Sequence, residues 1–270
     1  MEPRTAPDPF LDFKRRQREM WASFTPAATF TTPVAAQLIK FTGIRSGENV
    51  LDVGTGTGVV AITAARSGAR VTGLDLTPAL LEQARANSRI ARMEDIVWTE
   101  GDVESLPFPD ASFDVVLSQF GHMFAPRPEV AVAEIRRVLK SGGRFGFVTW
   151  PPEHLVGRTF AFMGHHSPLP PAGEPPPLWG NPVVIAERLT GRFEIPFFAR
   201  GTMSVPALSV EHYRLFMESS VGPIQKLVES LAADPKRLAA IRAEFEALIQ
   251  PYYQENEVHQ DFLMTLAKAL

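Results

Sequence analysis

The stretch Val50-Leu51-Asp52-Val53-Gly54-Thr55-Gly56-Thr57-Gly58 decides how this chain is read. Val50–Val53 is a short apolar run, the mark of a buried strand. Gly58–Ser67 is small and apolar until Gly68 stops it, the mark of a buried helix. Between the two, the backbone bends sharply and passes close to whatever lies over it, and glycine permits both. A strand entering a helix through such a turn sets free helix amides at the carboxyl edge of a sheet, where a ligand sits.

Working outward, Val71–Leu74 is the next strand, and it ends on Asp75, 17 residues beyond Gly58. A carboxylate there accepts hydrogen bonds from both ribose hydroxyls of an adenosine. The alternative is a helix cap, but Thr77, with Pro78 behind it, is the better cap for the helix that runs to Ile90. Ile96–Thr99, Phe113–Leu117 and Phe145–Trp150 read as further strands. The turn Pro109-Asp110-Ala111-Ser112 introduces the second of these, and Gly142-Gly143 the third. Pro128–Leu139 reads as a helix. Strands alternating with helices specify a parallel sheet with right-handed crossovers, and the apolar strand runs fit burial on both faces. Phe10–Ser23 and Pro33–Phe41 read as helices that precede this unit.

After Trp150 the pattern changes. Seven of the 24 prolines fall between Pro168 and Pro182, which excludes regular helix or central strand there and suggests a long loop acting as a lid or binding surface. Val183–Thr190 reads as helix, Phe193–Val205 as extended, and Ser209–Ser219 and Asp234–Ile249 as helices. The last of these has Asp234 as its cap and an apolar stripe of Leu238, Ile241, Phe245 and Leu248. Asp261–Leu270 is short and apolar and reads equally as strand or helix.

Composition removes several classes of function. The 270 residues are 45% hydrophobic with a net charge of −3, and no basic, aromatic-interleaved strip offers itself to nucleic acid. With no cysteine, there is no disulfide, zinc–thiolate site or cysteine nucleophile. The six histidines are scattered without metal-ligand spacing, so no metal is expected. The first residues lack the apolar core of a signal peptide and no run is long enough to span a bilayer, so a cytoplasmic protein is expected; a homodimer is left open.

Nicotinamide dehydrogenases and S-adenosylmethionine (SAM) methyltransferases share the strand, glycine turn and acidic strand end. Glycine spacing separates them. A dinucleotide asks for G-x-G-x-x-G to seat a pyrophosphate, whereas here the third glycine is Gly58 and Val59 holds the dinucleotide position. Further motifs follow in order. Val50–Gly58 and Val71–Asp75 resemble the first two motifs of the class I SAM-dependent methyltransferases, in particular the broad type 11 group that includes ubiquinone- and menaquinone-type enzymes. Gly101-Asp102-Val103-Glu104-Ser105-Leu106-Pro107-Phe108, Ser112-Phe113-Asp114-Val115-Val116 and Val138-Leu139-Lys140-Ser141-Gly142-Gly143-Arg144 are similar to later segments of the same group. The resemblance covers about residues 35–150.

The resemblance implies a fold: a single α/β domain with a Rossmann-like, seven-stranded, mostly parallel sheet of order 3-2-1-4-5-7-6. Its last strand is antiparallel and helices lie on both faces. On that plan 1–44 is an N-terminal helical segment, 45–150 the SAM-binding core, 205–258 a helical cap insertion and 261–270 the final strand. It implies SAM as cofactor and S-adenosylhomocysteine (SAH) as product. The turn of Gly54, Thr55, Gly56 and Gly58 would hold the methionine end, with Asp52 ordering the loop. Asp75 would bind the ribose, Asp102 the adenine amino group, the Val103 amide the adenine ring and Leu76 its face. Gln119 would lie near the methionine amine through its backbone.

SAM carries an activated methyl, so in-line displacement needs chiefly alignment and exclusion of water. His122, just past the fourth strand, is the candidate general base, or a histidine that merely shapes its loop. Phe120, Met123 and Phe124 are candidate walls of an apolar acceptor pocket, with Trp150, Phe160, Phe162, Trp179, Tyr213 and Phe216 as further candidates. The expected function is methyl transfer to a small, partly apolar or aromatic acceptor. Alternatives are a nicotinamide-dependent oxidoreductase and a non-catalytic SAM-binding protein.

Overall fold

The computed structural model describes residues 8–167 and 173–270. Two helices, α1 (Leu11–Trp21) and α2 (Thr25–Thr42), come first. The second helix begins at Thr25, not at Pro33 as expected, and carries Pro33 in its interior. A proline there removes one backbone donor. Burial of Ala27, Ala28, Thr31, Val34, Ala35, Leu38 and Ile39 holds the helix together across that defect. It stops at Gly43, left-handed at φ 63°, whose N–H is shared by the Ile39 and Lys40 carbonyls.

The alternating unit follows: β1 (Asn49–Val53), α3 (Val59–Arg66), β2 (Arg70–Asp75), α4 (Pro78–Ile90), β3 (Val97–Glu100), β4 (Phe113–Gln119), α5 (Pro128–Val138) and β5 (Leu139–Thr149). β1 pairs in parallel with β2 and β4, β2 with β3, and β4 with β5. β5 starts at Leu139, six residues before the expected Phe145. The β4–β5 register shifts between Phe113 and Val115, and Gly142 at φ 71° lets the strand pass through that irregularity. Right-handed crossovers on either side of β1 put helices on both faces of the sheet.

The remaining elements are α6 (Leu155–His166), α7 (Pro182–Leu189), β6 (Phe197–Pro206), α8 (Val210–Ser220), α9 (Gly222–Ser230), α10 (Pro235–Ile249), β7 (Tyr253–Gln254) and β8 (Glu257–Lys268). α6 and α9 were not expected from the sequence. The final strand begins at Glu257 and ends at Lys268, so it is longer than 261–270 and starts earlier. The sheet order is β3-β2-β1-β4-β5-β8-β6, with the two-residue β7 hairpinned onto β8. Without β7 this is the expected seven-strand order. β8 runs antiparallel to both β5 and β6. Of the proline-rich stretch, 168–172 lies outside the described residues. Pro176–Gly180 forms a 3-10 turn that buries Trp179, whose carbonyl accepts from Thr149 Oγ1 at 2.7 Å.

β8 is interior to the sheet, and Phe262, Leu263 and Met264 are all buried. Gly201 of β6 pairs with Phe262, and a Cβ on Gly201 would lie 2.4 Å from that ring, so the aromatic side chain fills the space the glycine leaves. Deleting residues 261–270 is expected to abolish soluble folding, read by soluble yield and circular dichroism. Phe262→Ala is expected to lose about 3–5 kcal/mol in urea unfolding. A truncated protein of unchanged stability would show that β8 is not an interior strand.

Candidate active site

The strand order reverses between β1 and β4, which opens a crevice at the carboxyl ends of the parallel strands. A cavity of about 250 Å³ lies there. It is bordered by the ends of β1 (Gly54, Gly56), β2 (Asp75, Leu76), β3 (Asp102, Val103), β4 (Gln119, Phe120) and β5 (Trp150). Because β8 is antiparallel, its first residues reach the same edge, and Gln260 borders the cavity too.

The glycine turn is as tight as its sequence requires. Gly54 has φ 64°, and a Cβ on it would stand 2.7 Å from the Gly121 Cα. Gly56 donates its N–H to Asp75 Oδ2 at 2.8 Å, and Thr77 donates to Asp75 Oδ1 at 2.8 Å. Burial pushes the Asp75 carboxyl up, against these hydrogen bonds. Gly58 plays a different part from the one expected. It borders neither cavity, and a Cβ there would meet the Trp98 ring at 2.7 Å and Ala84 at 3.1 Å, so it serves packing under α4.

Asp52 is buried. Its Oδ2 accepts from Thr55 Oγ1 at 2.6 Å and from the Ala61 N–H at 3.1 Å, while Oδ1 has no partner among the described residues. Burial pushes this carboxyl up to about 7, opposed by those two bonds. Gln119 donates Nε2 to the Thr31 carbonyl at 3.0 Å and leaves Oε1 buried and unpartnered. Asp52, Thr55, Gly56 and Gln119 border a second cavity of about 50 Å³. Two orphaned acceptor oxygens on residues around one small space suit a compact cation with several N–H donors, that is, an ammonium.

At the far end, the Asp102 carboxylate is already shared. Oδ1 accepts from the Glu104 N–H at 2.9 Å, and Oδ2 lies 2.6 Å from Lys14 Nζ of α1. The same ammonium lies 2.6 Å from Asp8 and 2.6 Å from Glu104. Burial opposes its charge, and the three carboxylates outweigh burial and raise its pKa. These carboxylates converge closely enough to hold a metal ion, but Lys14 already supplies the positive charge among them.

The other half of the cavity is aromatic. Phe120 and Trp150 stack at 3.7 Å and 3°. Phe124 lies between Trp21 at 4.7 Å and Phe160 at 5.9 Å, and Phe30 meets Phe216 edge-on at 5.1 Å. Phe120 is itself left-handed at φ 58°, a conformation that a bulky residue adopts only when its surroundings impose it. Of the residues expected to form an acceptor pocket, Phe120, Phe124, Trp150, Phe160 and Phe216 border the cavity. Met123 does not: it is 2% exposed and belongs to the core. Phe162 stacks on Phe245, Trp179 packs on His122, and Tyr213 lies behind Gln260.

His122 borders the cavity, as expected, but its surroundings do not suit the expected general base. Its imidazole is 1% exposed and meets Phe145, Phe147 and Trp179 edge-on at 5.3, 4.7 and 4.5 Å. Neither ring nitrogen has a hydrogen-bond partner among the described residues. Burial, assisted by the Arg188 charge, pulls its pKa down to about 3, so the ring is neutral and enclosed. The sequence reading missed Lys14, Gln17 and Trp21 of α1, and Gln260. The spacing of Phe10, Phe13, Gln17 and Trp21 along one face of α1 was the available signal; nothing local marked Gln260.

Residues 51–147 match the methyltransferase domain family. The chain is 33% identical over 256 residues to Uncharacterized protein Rv1403c of Mycobacterium tuberculosis, covering 93% of each chain. It is 46% identical over 107 residues to the demethylmenaquinone methyltransferase of Tropheryma whipplei (strain Twist), covering 39% of this chain and 43% of that one. In fold it is similar to BH2331 of Bacillus halodurans C-125, assigned as a methyltransferase, with a TM-score of 0.58 and 22% identity over 87% of this chain and 97% of that one. The glycine turn and the acidic strand ends all lie within the matched segment: residues 51–147 are a methyltransferase domain.

Proposed function

We propose that this chain transfers the methyl group of SAM to a small, partly apolar or aromatic acceptor. The observation that carries this is one continuous cavity with two chemistries, polar strand ends at one end and aromatic walls at the other. Gly54 and Gly56 receive the methionine portion, and Asp52 Oδ1 with Gln119 Oε1 receive its ammonium, the donor that both oxygens lack. Asp75 binds the ribose, Asp102 the adenine amino group and the Val103 amide the ring, with Leu76 against the adenine face. Bound there, SAM would supply an activated methyl group for transfer to the acceptor, with SAH as its product.

The chain contributes position and dryness. Phe120 and Trp150 border the cavity as one stacked wall, which limits the direction of approach. His122 takes no part in proton transfer. The acceptor is a small molecule rather than nucleic acid, and the reaction is cytoplasmic. No helix among the described residues is long and apolar enough to cross a membrane.

Two measurements test the cofactor site. Asp75→Asn keeps the side-chain size but removes the charge that strengthens hydrogen bonds to two ribose hydroxyls; SAH affinity by calorimetry is expected to fall at least about tenfold. Near-normal affinity would place the ribose elsewhere. The second is pH. Burial raises the Asp52 pKa to about 7, so its carboxyl holds a proton below that pH and becomes the anion an ammonium needs above it. SAH affinity is therefore expected to rise between about pH 6 and 8 with release of a proton, and Asp52→Asn should flatten that rise. Calorimetry in buffers of different ionisation enthalpy measures the released proton directly, and a flat wild-type profile would remove Asp52 from ammonium binding.

A further inference from the structure

Among the aromatic and aliphatic side chains of the acceptor half, one buried amide stands out. Gln260 lies on β8 on the face that also carries Val258 and Phe262, both fully buried, and is itself 5% exposed. An apolar residue is what that strand position ordinarily takes. A buried amide is costly unless its hydrogen bonds are made. Gln260 makes one of them: Nε2 donates to the Tyr213 hydroxyl at 2.6 Å. Tyr213 comes from α8 and is 2% exposed, so the amide is anchored from behind by a side chain that does not itself border the cavity. The Gln260 carbonyl oxygen has no protein partner among the described residues, and the residue borders the cavity. The tyrosine hydroxyl both donates and accepts, so its contact holds the amide either way round. In either orientation one end is committed to Tyr213 and the other is left for a ligand.

The charges around the cavity sharpen what that ligand is. The charged side chains bordering it are Lys14, Asp75 and Asp102, all at the cofactor end, and Lys14 is committed to three carboxylates. A carboxylate or phosphate in the aromatic half would be buried without a countercharge. A flat ring fits walls such as the Phe120–Trp150 stack and the Phe30–Phe216 pair.

We propose that Gln260, positioned by Tyr213, selects and orients the methyl acceptor, and that this acceptor is an uncharged flat ring compound carrying a hydroxyl on one edge. The hydroxyl, itself donor and acceptor, pairs with the free end of the Gln260 amide, which fixes the ring's rotation within walls that otherwise grip it without direction. This rests on the methyltransferase reading above, because that reading sets which half of the cavity takes the acceptor.

The test uses the full chain loaded with SAH and four probes that share one ring system: 2-naphthol, naphthalene, 2-naphthoate and 2-naphthylmethylamine. Trp21 and Trp150 border the cavity, so quenching of tryptophan fluorescence reports binding. 2-Naphthol is expected to bind tightest. Gln260→Leu should weaken it about tenfold, the scale of one buried hydrogen bond, and leave naphthalene and SAH unchanged. Tyr213→Phe keeps the ring packing but frees the amide; it should weaken 2-naphthol alone, which a merely structural role for Tyr213 would not do. Equal 2-naphthol affinity in wild type and Gln260→Leu overturns the proposal. So does tighter binding of the carboxylate, tighter binding of the ammonium (an aromatic cage for a cation), or binding of none of the four. Failure of SAH itself to bind, seen in the prior titration, instead overturns the methyltransferase reading and this inference with it.

Discussion

Two backbone turns touch where β1 and β4 end. A Cβ on Gly54 would lie 2.7 Å from the Gly121 Cα, and a Cβ on Gly121 would lie 2.8 Å from the Gly54 Cα. Side chains at either position would force the strand ends apart. Ser118 fixes the approach by donating its hydroxyl to the Val53 carbonyl at 2.9 Å and accepting the His122 N–H at 2.9 Å. Much of the crevice geometry follows from this contact. It places the glycine turn beside Gln119, brings Asp52 and Gln119, each with an orphaned oxygen, to the border of one small space, and accompanies the left-handed Phe120 that stacks on Trp150.

The cavity is completed by a segment that is remote in sequence from the sheet. α1 brings Phe13, Lys14, Gln17 and Trp21 to its border, and the attachment is electrostatic as well as apolar. Lys14 binds the carboxylate at the end of β3, while Arg127, at the start of α5, reaches Glu104 at 2.7 Å and Asp8 at 3.3 Å. The result is a network of two cations and three anions, largely shielded from solvent, which is where ion pairs resist screening by salt. On the proposed reading, Asp102 couples adenine recognition to the position of α1, because one carboxylate group serves both.

How much of this was legible in the sequence depended on how local the cause was. Val50–Gly58 and Val71–Asp75 declared their strands and turn because the glycines and the acidic strand end act within a few residues of themselves. The interior position of the last strand came through the family resemblance; its composition alone left strand and helix level. Pro33 misled, since the rule against helical proline is local while burial of the α2 face is tertiary. His122 misled for the same reason. Its position after β4 does bring it to the cavity border, but its ring is enclosed by Phe145, Phe147 and Trp179 from two distant segments. Met123 and Gly58 face packing neighbours rather than the cavity. Gln260 was invisible because a single glutamine near a strand's start carries no pattern; only its burial beside Tyr213 gives it meaning.

The neutral His122 fits the chemistry proposed for the site. A sulfonium cofactor brings its own driving force, so the protein gains little from a strong base and loses much if water reaches the methyl group. An aromatic enclosure with a deprotonated, uncharged imidazole keeps the floor of the site apolar, whereas an imidazolium there would draw in water or an anion. The polar groups proposed to meet the charged and hydroxylated parts of the cofactor are Asp52, Asp75, Asp102 and Gln119. Each of these stands at the end of a strand or in the turn that follows, while the aromatic walls come largely from helices and loops laid over the sheet. On the proposed reading the sheet specifies the cofactor, and the covering segments, which can change without disturbing the strands, are left to specify the acceptor.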